Sequence, residues 1–88
     1  MNDLVWTLEC HIAYKGSDVG SDIKFENICY SDATHSMVQT YKDYGLINEV
    51  DLKRSWCELY RHDEKEQTLV HITFDVISKI FSEGRRMG

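Results

Sequence analysis

Residues 4–14, LVWTLECHIAY, alternate so regularly that few local structures accommodate them. Leu4, Trp6, Leu8, Cys10, Ile12 and Tyr14 form one row; Val5, Thr7, Glu9, His11 and Ala13 form the other. A strand turns successive side chains to opposite faces, so this period of two predicts a half-buried β-strand. A helix would scatter both rows around its circumference. The chain is therefore committed to a sheet, and a sheet with an apolar face needs a second layer to cover it.

The residues that follow supply the rest of that sheet and its cover. KGSDVGSD, with Gly16 and Gly20 among small polar residues, predicts a loop. From Ile23 to Tyr30 a second strand is expected, with Ile23 and Phe25 on one face and Lys24 and Glu26 on the other. Ile28 falls out of phase after Asn27, which predicts a bulge or an early strand end. Ser31 or Asp32 then offers a short oxygen-bearing side chain to cap a helix. Ala33, Met37, Val38, Tyr41 and Tyr44 recur at helical spacing, and Gly45 stands where a left-handed C-terminal residue belongs. Residues 46–52 follow no period.

The segment SWCELYRHDEKEQTLVHITF, Ser55 to Phe74, reads as a hairpin. Its second arm is β-branched and alternating, and such a strand needs an antiparallel neighbour. Leu52, Trp56, Leu59 and Tyr60 also satisfy a helical stripe, so a helix through Arg61 is the competing reading. A turn about Glu64 and Lys65 sets Leu59 opposite Val70, Glu58 opposite His71 and Trp56 opposite Thr73. Cys57, Leu59, Val70, Ile72 and Phe74 then face the core. Trp56, Glu58, Tyr60, His62, Leu69, His71 and Thr73 face away from it. Asp75 is placed to cap a last helix through Val76, Ile77, Ile80 and Phe81 that ends at Gly84, with residues 85–88 as a frayed tail. The order is β-β-α-β-β-α in one domain. It predicts an α+β fold: a four-stranded, largely antiparallel sheet with both helices on one face.

Size and charge narrow the function. A chain of 88 residues buries roughly 60–65% of its unfolded surface on folding. That is enough for one modest core, so faces and grooves are better candidate sites than a deep pocket. The net charge of −5 lacks the basic excess by which nucleic-acid binders displace counterions from phosphates. It also disfavours adsorption to an anionic membrane, and no apolar run approaches the ~20 residues of a spanning helix. Cys10, Cys29 and Cys57 have no tight spacing, and no basic segment precedes an apolar run as in a signal peptide. The expected setting is the reducing cytoplasm, with the cysteines as small apolar core residues.

The face opposite the core is the candidate site: Trp56, Glu58, Tyr60, His62 and His71, joined by Glu9 and His11 of the first strand. Trp and Tyr offer large rigid contact area, as at protein-interface hot spots. The same rings would stack the bases of a single-stranded nucleic acid, but Glu9 and Glu58 would then lie near its phosphates. As an enzyme, the face would use Glu58 and His71 as an acid–base pair. Read structurally, that pair is a cross-strand ion pair worth about 0.2–1 kcal/mol.

Glu49, Asp51, Asp63, Glu64 and Glu66 form a secondary acidic patch suited to a basic surface. No metal is expected, because Cys10, His11, Cys57, His62 and His71 show no paired ligand spacing. DVGSD lacks the oxygen-ligand spacing of a calcium loop. His35 is expected on the surface, and Ser31, Ser36 and Ser55 lack a nucleophile elbow or paired base. No cofactor motif is present.

These features predict a small, acidic, non-catalytic protein that binds another protein, possessing a homodimer option through a sheet edge or the exposed face. The chain resembles stand-alone inhibitors and regulators of phages and bacteria, such as anti-defence proteins and antitoxin-like factors. The resemblance is one of size, charge and simplicity.

Overall fold

The long alternating segment becomes β1 (Trp6–Ile12) in the computed structural model, which describes residues 4–61 and 70–87 and their side chains as far as residue 82. β1 pairs antiparallel on both sides, with β2 (Ser21–Ile28) and with β3 (Trp56–Arg61). β3 pairs antiparallel with β4 (Val70–Thr73), and the sheet order is β2-β1-β3-β4. The two hairpins are thus joined through the first strand of each. The segment from 56 is a strand, and the competing helix through Arg61 is set aside.

This order follows from burial. Leu8, Cys10 and Ile12 of β1 and Cys57 and Leu59 of β3 are at most 1% exposed, and central strands have both backbone edges satisfied by neighbours. β2, whose charged residues alternate with half-buried ones, takes an edge. In β2 the expected bulge is present. Trp6 pairs with Ile28 and Leu8 with Phe25, so two steps on β1 match three on β2. Asn27 absorbs the extra residue at φ 56°, a left-handed conformation that Asn tolerates better than most residues. The bulge returns Ile28 to the core side, where it packs with Ile23 and Phe25.

α1 (Tyr30–Tyr44) and α2 (Phe74–Met87) both cover the inner face. Two terminal details of α1 correct the sequence expectation. Its N-cap is Cys29, in extended conformation and without a side-chain cap bond, so neither Ser31 nor Asp32 caps it. Asp32 lies inside the first turn, where a carboxylate favours the helix dipole. At the other end Gly45 is right-handed, at φ −69°, and its N–H donates to the Tyr41 carbonyl at 2.6 Å. Glycine is needed there for space: a Cβ would lie 2.6 Å from two carbons of the Tyr41 ring. That ring is 6% exposed, stacks on Phe81 at 5.4 Å and meets Phe74 edge-on at 5.7 Å. Three aromatics thereby join the two helices. Phe74, Leu8, Ile12 and Leu59 are each 0% exposed, worth about 1.5–3 kcal/mol apiece in removal from water.

The aperiodic residues 46–52 and the three that follow them are held by hydrogen bonds. Val50 bridges Tyr14, and the Asp51 N–H donates to the Ala13 carbonyl at 2.8 Å. The Asp51 carboxylate accepts from the N–H groups of Lys53 and Arg54 at 3.1 and 3.3 Å, closing a turn before β3. Ser55 is fully buried. Its hydroxyl accepts from the Ala13 N–H at 2.9 Å and donates to the Asp51 carbonyl at 2.8 Å. Its carbonyl accepts from the Phe74 N–H at 2.9 Å, tying the end of β1, the start of β3 and the start of α2 together. The Thr73 hydroxyl donates to Asp75, which lies inside the first turn of α2 and not at its expected capping position, and the helix continues past the expected end at Gly84 to Met87.

Candidate functional site

On the face away from the helices, the period of two brings polar and aromatic side chains of all four strands together. Glu58 is paired with His71 and Trp56 with Thr73, the register expected from a turn near Glu64. Across the other pairings, His11 lies between Trp56 and Asp22, and Glu9 between Glu58 and Lys24. Side chains paired directly across a sheet share a face, so these residues form one contiguous surface.

Its centre is a row of three rings. The Trp56 indole lies 5.6 Å from the His11 imidazole, nearly parallel at 25°, and 5.5 Å from that of His71 at 31°. Offset stacking at these distances suits the quadrupoles of aromatic rings. A carboxylate holds each imidazole: His11 Nδ1 is 2.7 Å from Asp22 Oδ1, and His71 Nδ1 is 2.9 Å from Glu58 Oε1. Each contact becomes an ion pair when the ring is protonated. Gly20 completes the seat of His11. A Cβ at residue 20 would lie 2.8 Å from the His11 Cε1 carbon and 2.6 Å from the Ile12 carbonyl oxygen.

The neighbouring row is ionic. Lys24 Nζ is 3.0 Å from Glu26 and 3.6 Å from Glu9, and the bond to Glu26 holds its ammonium above the usual lysine range. Between Trp56, Asp22, Lys24 and Glu9 opens a cleft of about 230 Å³, floored in part by Cys10 and Ile23.

Tyr60 departs from the expected picture. It lies on the outer face, opposite Thr7, yet it is only 3% exposed, and Thr7 is 1% exposed. Its hydroxyl donates to Glu9 Oε1 at 2.5 Å. Burial, and after it the neighbouring carboxylates, pushes the phenol well above its ordinary range. Tyr60 is therefore a buried anchor of this face, and the open aromatic surface reduces to Trp56 with its two histidines. The face is closed at the Thr7–Tyr60 end and open at the Asp22–His71 end.

The remaining expected residues are less assembled. His62, Asp63, Glu64 and Glu66 lie outside the described residues. Of the acidic patch, Glu49 is exposed, and the Asp51 carboxylate closes the turn before β3 and pairs with Arg54 at 3.8 Å. His35 is exposed on α1.

Asp22 and Lys24 belong to the site although the sequence reading passed over them. Asp22 fell in a predicted loop, and only the β1–β2 register shows it beside His11. A second surface was also missed. A cleft of about 530 Å³ lies beyond the end of α1, bordered by Leu46, Ile47 and Leu52, and Leu46 is 71% exposed. Its apolar residues come from the aperiodic segment, where no pattern points to it.

Among the described residues, no group of three or more His, Cys, Asp or Glu side chains is placed to hold a metal ion, and no helix is long and apolar enough to cross a membrane. No family model, curated protein or solved structure matches this chain.

Proposed function

We propose that the chain is a non-catalytic binding protein, a small inhibitor or regulator, whose outer sheet face takes a basic segment of a partner protein. One observation carries this reading: the His11–Trp56–His71 row, flanked by carboxylates, on a face that neither helix covers. A half-buried indole with a fixed ring plane loses little entropy on contact, which is the property of an interface anchor. Glu9 and Glu26 hold the ammonium of Lys24 while Asp22 and Glu58 hold the two imidazoles, so carboxylates outnumber that ammonium on this surface and it favours cations. A guanidinium suits it best, since it stacks on indole while forking to carboxylate. The same charges oppose a phosphate backbone.

Titration calorimetry with short arginine-rich, lysine-rich, neutral and acidic peptides and a single-stranded oligonucleotide tests the proposal. Binding of the arginine-rich peptide is expected, weakening with salt and falling at least tenfold in Trp56→Ala while the thermal midpoint moves only slightly. Preference for the oligonucleotide, or arginine-peptide binding that ignores Trp56→Ala, would overturn it.

A further inference from the structure

On the opposite side of the same two central strands, Cys10 and Cys57 are direct register partners. Both side chains point into the core, at 1% and 0% exposure, and their Sγ atoms are 3.1 Å apart. That separation is a thiol–thiol hydrogen bond, with one S–H directed at the other sulfur. Directly opposed residues of antiparallel strands have Cα atoms about 4.5 or 5.5 Å apart, and both values fall within the range that disulfides span. Bond formation needs the sulfurs to close by about 1 Å, to the ~2.05 Å of a disulfide, which side-chain rotation supplies.

We propose that Cys10 and Cys57 are a modification site: a dithiol that hydrogen peroxide closes to a cross-strand disulfide linking β1 to β3.

With the Cys57 S–H directed at Cys10, that contact stabilises the Cys10 thiolate and holds the Cys10 thiol below its ordinary range, whereas the Cys57 thiol is pushed far up by the same contact and by burial. The contact geometry is the same from either side, so either sulfur can attack; with Cys10 attacking, Cys57 resolves. The Cys10 thiolate attacks one peroxide oxygen; the O–O bond breaks, and hydroxide leaves and takes up the proton lost from Cys10. Cys10 is now a sulfenic acid. The Cys57 sulfur then attacks the Cys10 sulfur, the S–O bond breaks, and hydroxide leaves as water with the Cys57 proton. Two thiols are oxidised by two electrons to one disulfide, and one peroxide is reduced to two waters. A peroxide is close to water in size, which suits a pair that bulkier disulfide reagents reach poorly.

Cys29 serves as an internal control. It is partly exposed, with its sulfur 3.3 Å from the Ser31 hydroxyl rather than beside another thiol. The site is independent of the proposed partner, so failure of either reading leaves the other standing.

The test treats the full chain and its Cys29→Ser variant with hydrogen peroxide, then applies intact mass and non-reducing peptide mapping. Loss of two hydrogens and a Cys10–Cys57 cross-linked peptide are expected, both reversed by a phosphine reductant. The thermal midpoint of the oxidised Cys29→Ser chain is expected to rise by roughly 10 °C or more, since the bond closes a long loop across the sheet centre. Added oxygen on Cys10 or Cys57 without a cross-link would overturn the proposal. So would dimers through Cys29 alone, or an unreacted pair at peroxide levels that oxidise Cys29. Cys10→Ser and Cys57→Ser in the Cys29→Ser background assign the attacking sulfur. The cross-linked peptide from wild-type chain decides the matter even where those variants fold poorly.

Discussion

Tyr60 shows how one residue can carry the right face and the wrong exposure. Its phase places it opposite Cys57 and Leu59, and the structure keeps it there, but buries it with its hydroxyl on Glu9. Tyr60→Ala is expected to destabilise the fold by about 3 kcal/mol in urea titration, the cost of emptying a buried aromatic site. Tyr60→Phe keeps the ring and loses a charge-assisted bond, at about 1–2 kcal/mol. The phenol also predicts an alkaline limb. The folded chain holds this proton above its ordinary range, while the unfolded chain releases it near pH 10. Above about pH 10 the unfolded state binds fewer protons, so the contribution, complete below that pH, is lost as pH rises. Stability measured from pH 8 to 11 should therefore fall less steeply in Tyr60→Phe. Ser55 is a second such residue, dismissed as a nucleophile and found joining three segments. Ser55→Ala leaves the Ala13 N–H without that acceptor, and a loss of about 1–3 kcal/mol by chemical denaturation is expected.

At the scale of elements, the strands were more legible than the helix ends. Alternation is decided by which neighbours a strand buries, and Leu8, Cys10, Cys57 and Leu59 record that directly. Even the bulge at Asn27 was visible, because a slipped phase in β2 leaves Ile28 on the wrong side unless a residue is inserted. Helix caps depend on local backbone geometry that several nearby residues could satisfy, and Cys29 took the position that Ser31 or Asp32 was expected to fill. Gly45 gives a sharp test. At a right-handed φ of −69°, Gly→Ala ordinarily stabilises by restricting the unfolded chain. Here the added methyl meets the Tyr41 ring, so Gly45→Ala is expected to destabilise by about 1–3 kcal/mol. A thermal melt that shows a gain would mean that the Tyr41 ring moves aside without cost.

For the whole molecule, strand order decides where stability and function lie. β1 and β3 are central, and the candidate site spans all four strands, so the face exists only once both hairpins have docked. Native-state hydrogen exchange should find the slowest amides in β1 and β3, with the edge strands β2 and β4 opening at lower cost. Slowest exchange in β2 or β4 would contradict a sheet organised around the β1–β3 pairing. The two faces of that pairing differ in kind. Inward it brings two thiols within 3.1 Å; outward it stacks His11 on Trp56.

The amino-acid sequence by itself determined the period of each strand, the register of the second hairpin and the side of the sheet on which Glu9, His11, Trp56, Glu58, Tyr60 and His71 stand, because these follow from local alternation and a turn. It also placed both helices on one face, since only one apolar face needed cover. The tertiary structure alone decided which strands pair across the chain, and with that the joining of Asp22 and Lys24 to the site, the burial of Tyr60 and the contact of Cys10 with Cys57. Those depend on residues distant in sequence, and no local pattern encodes which distant strand supplies the neighbour.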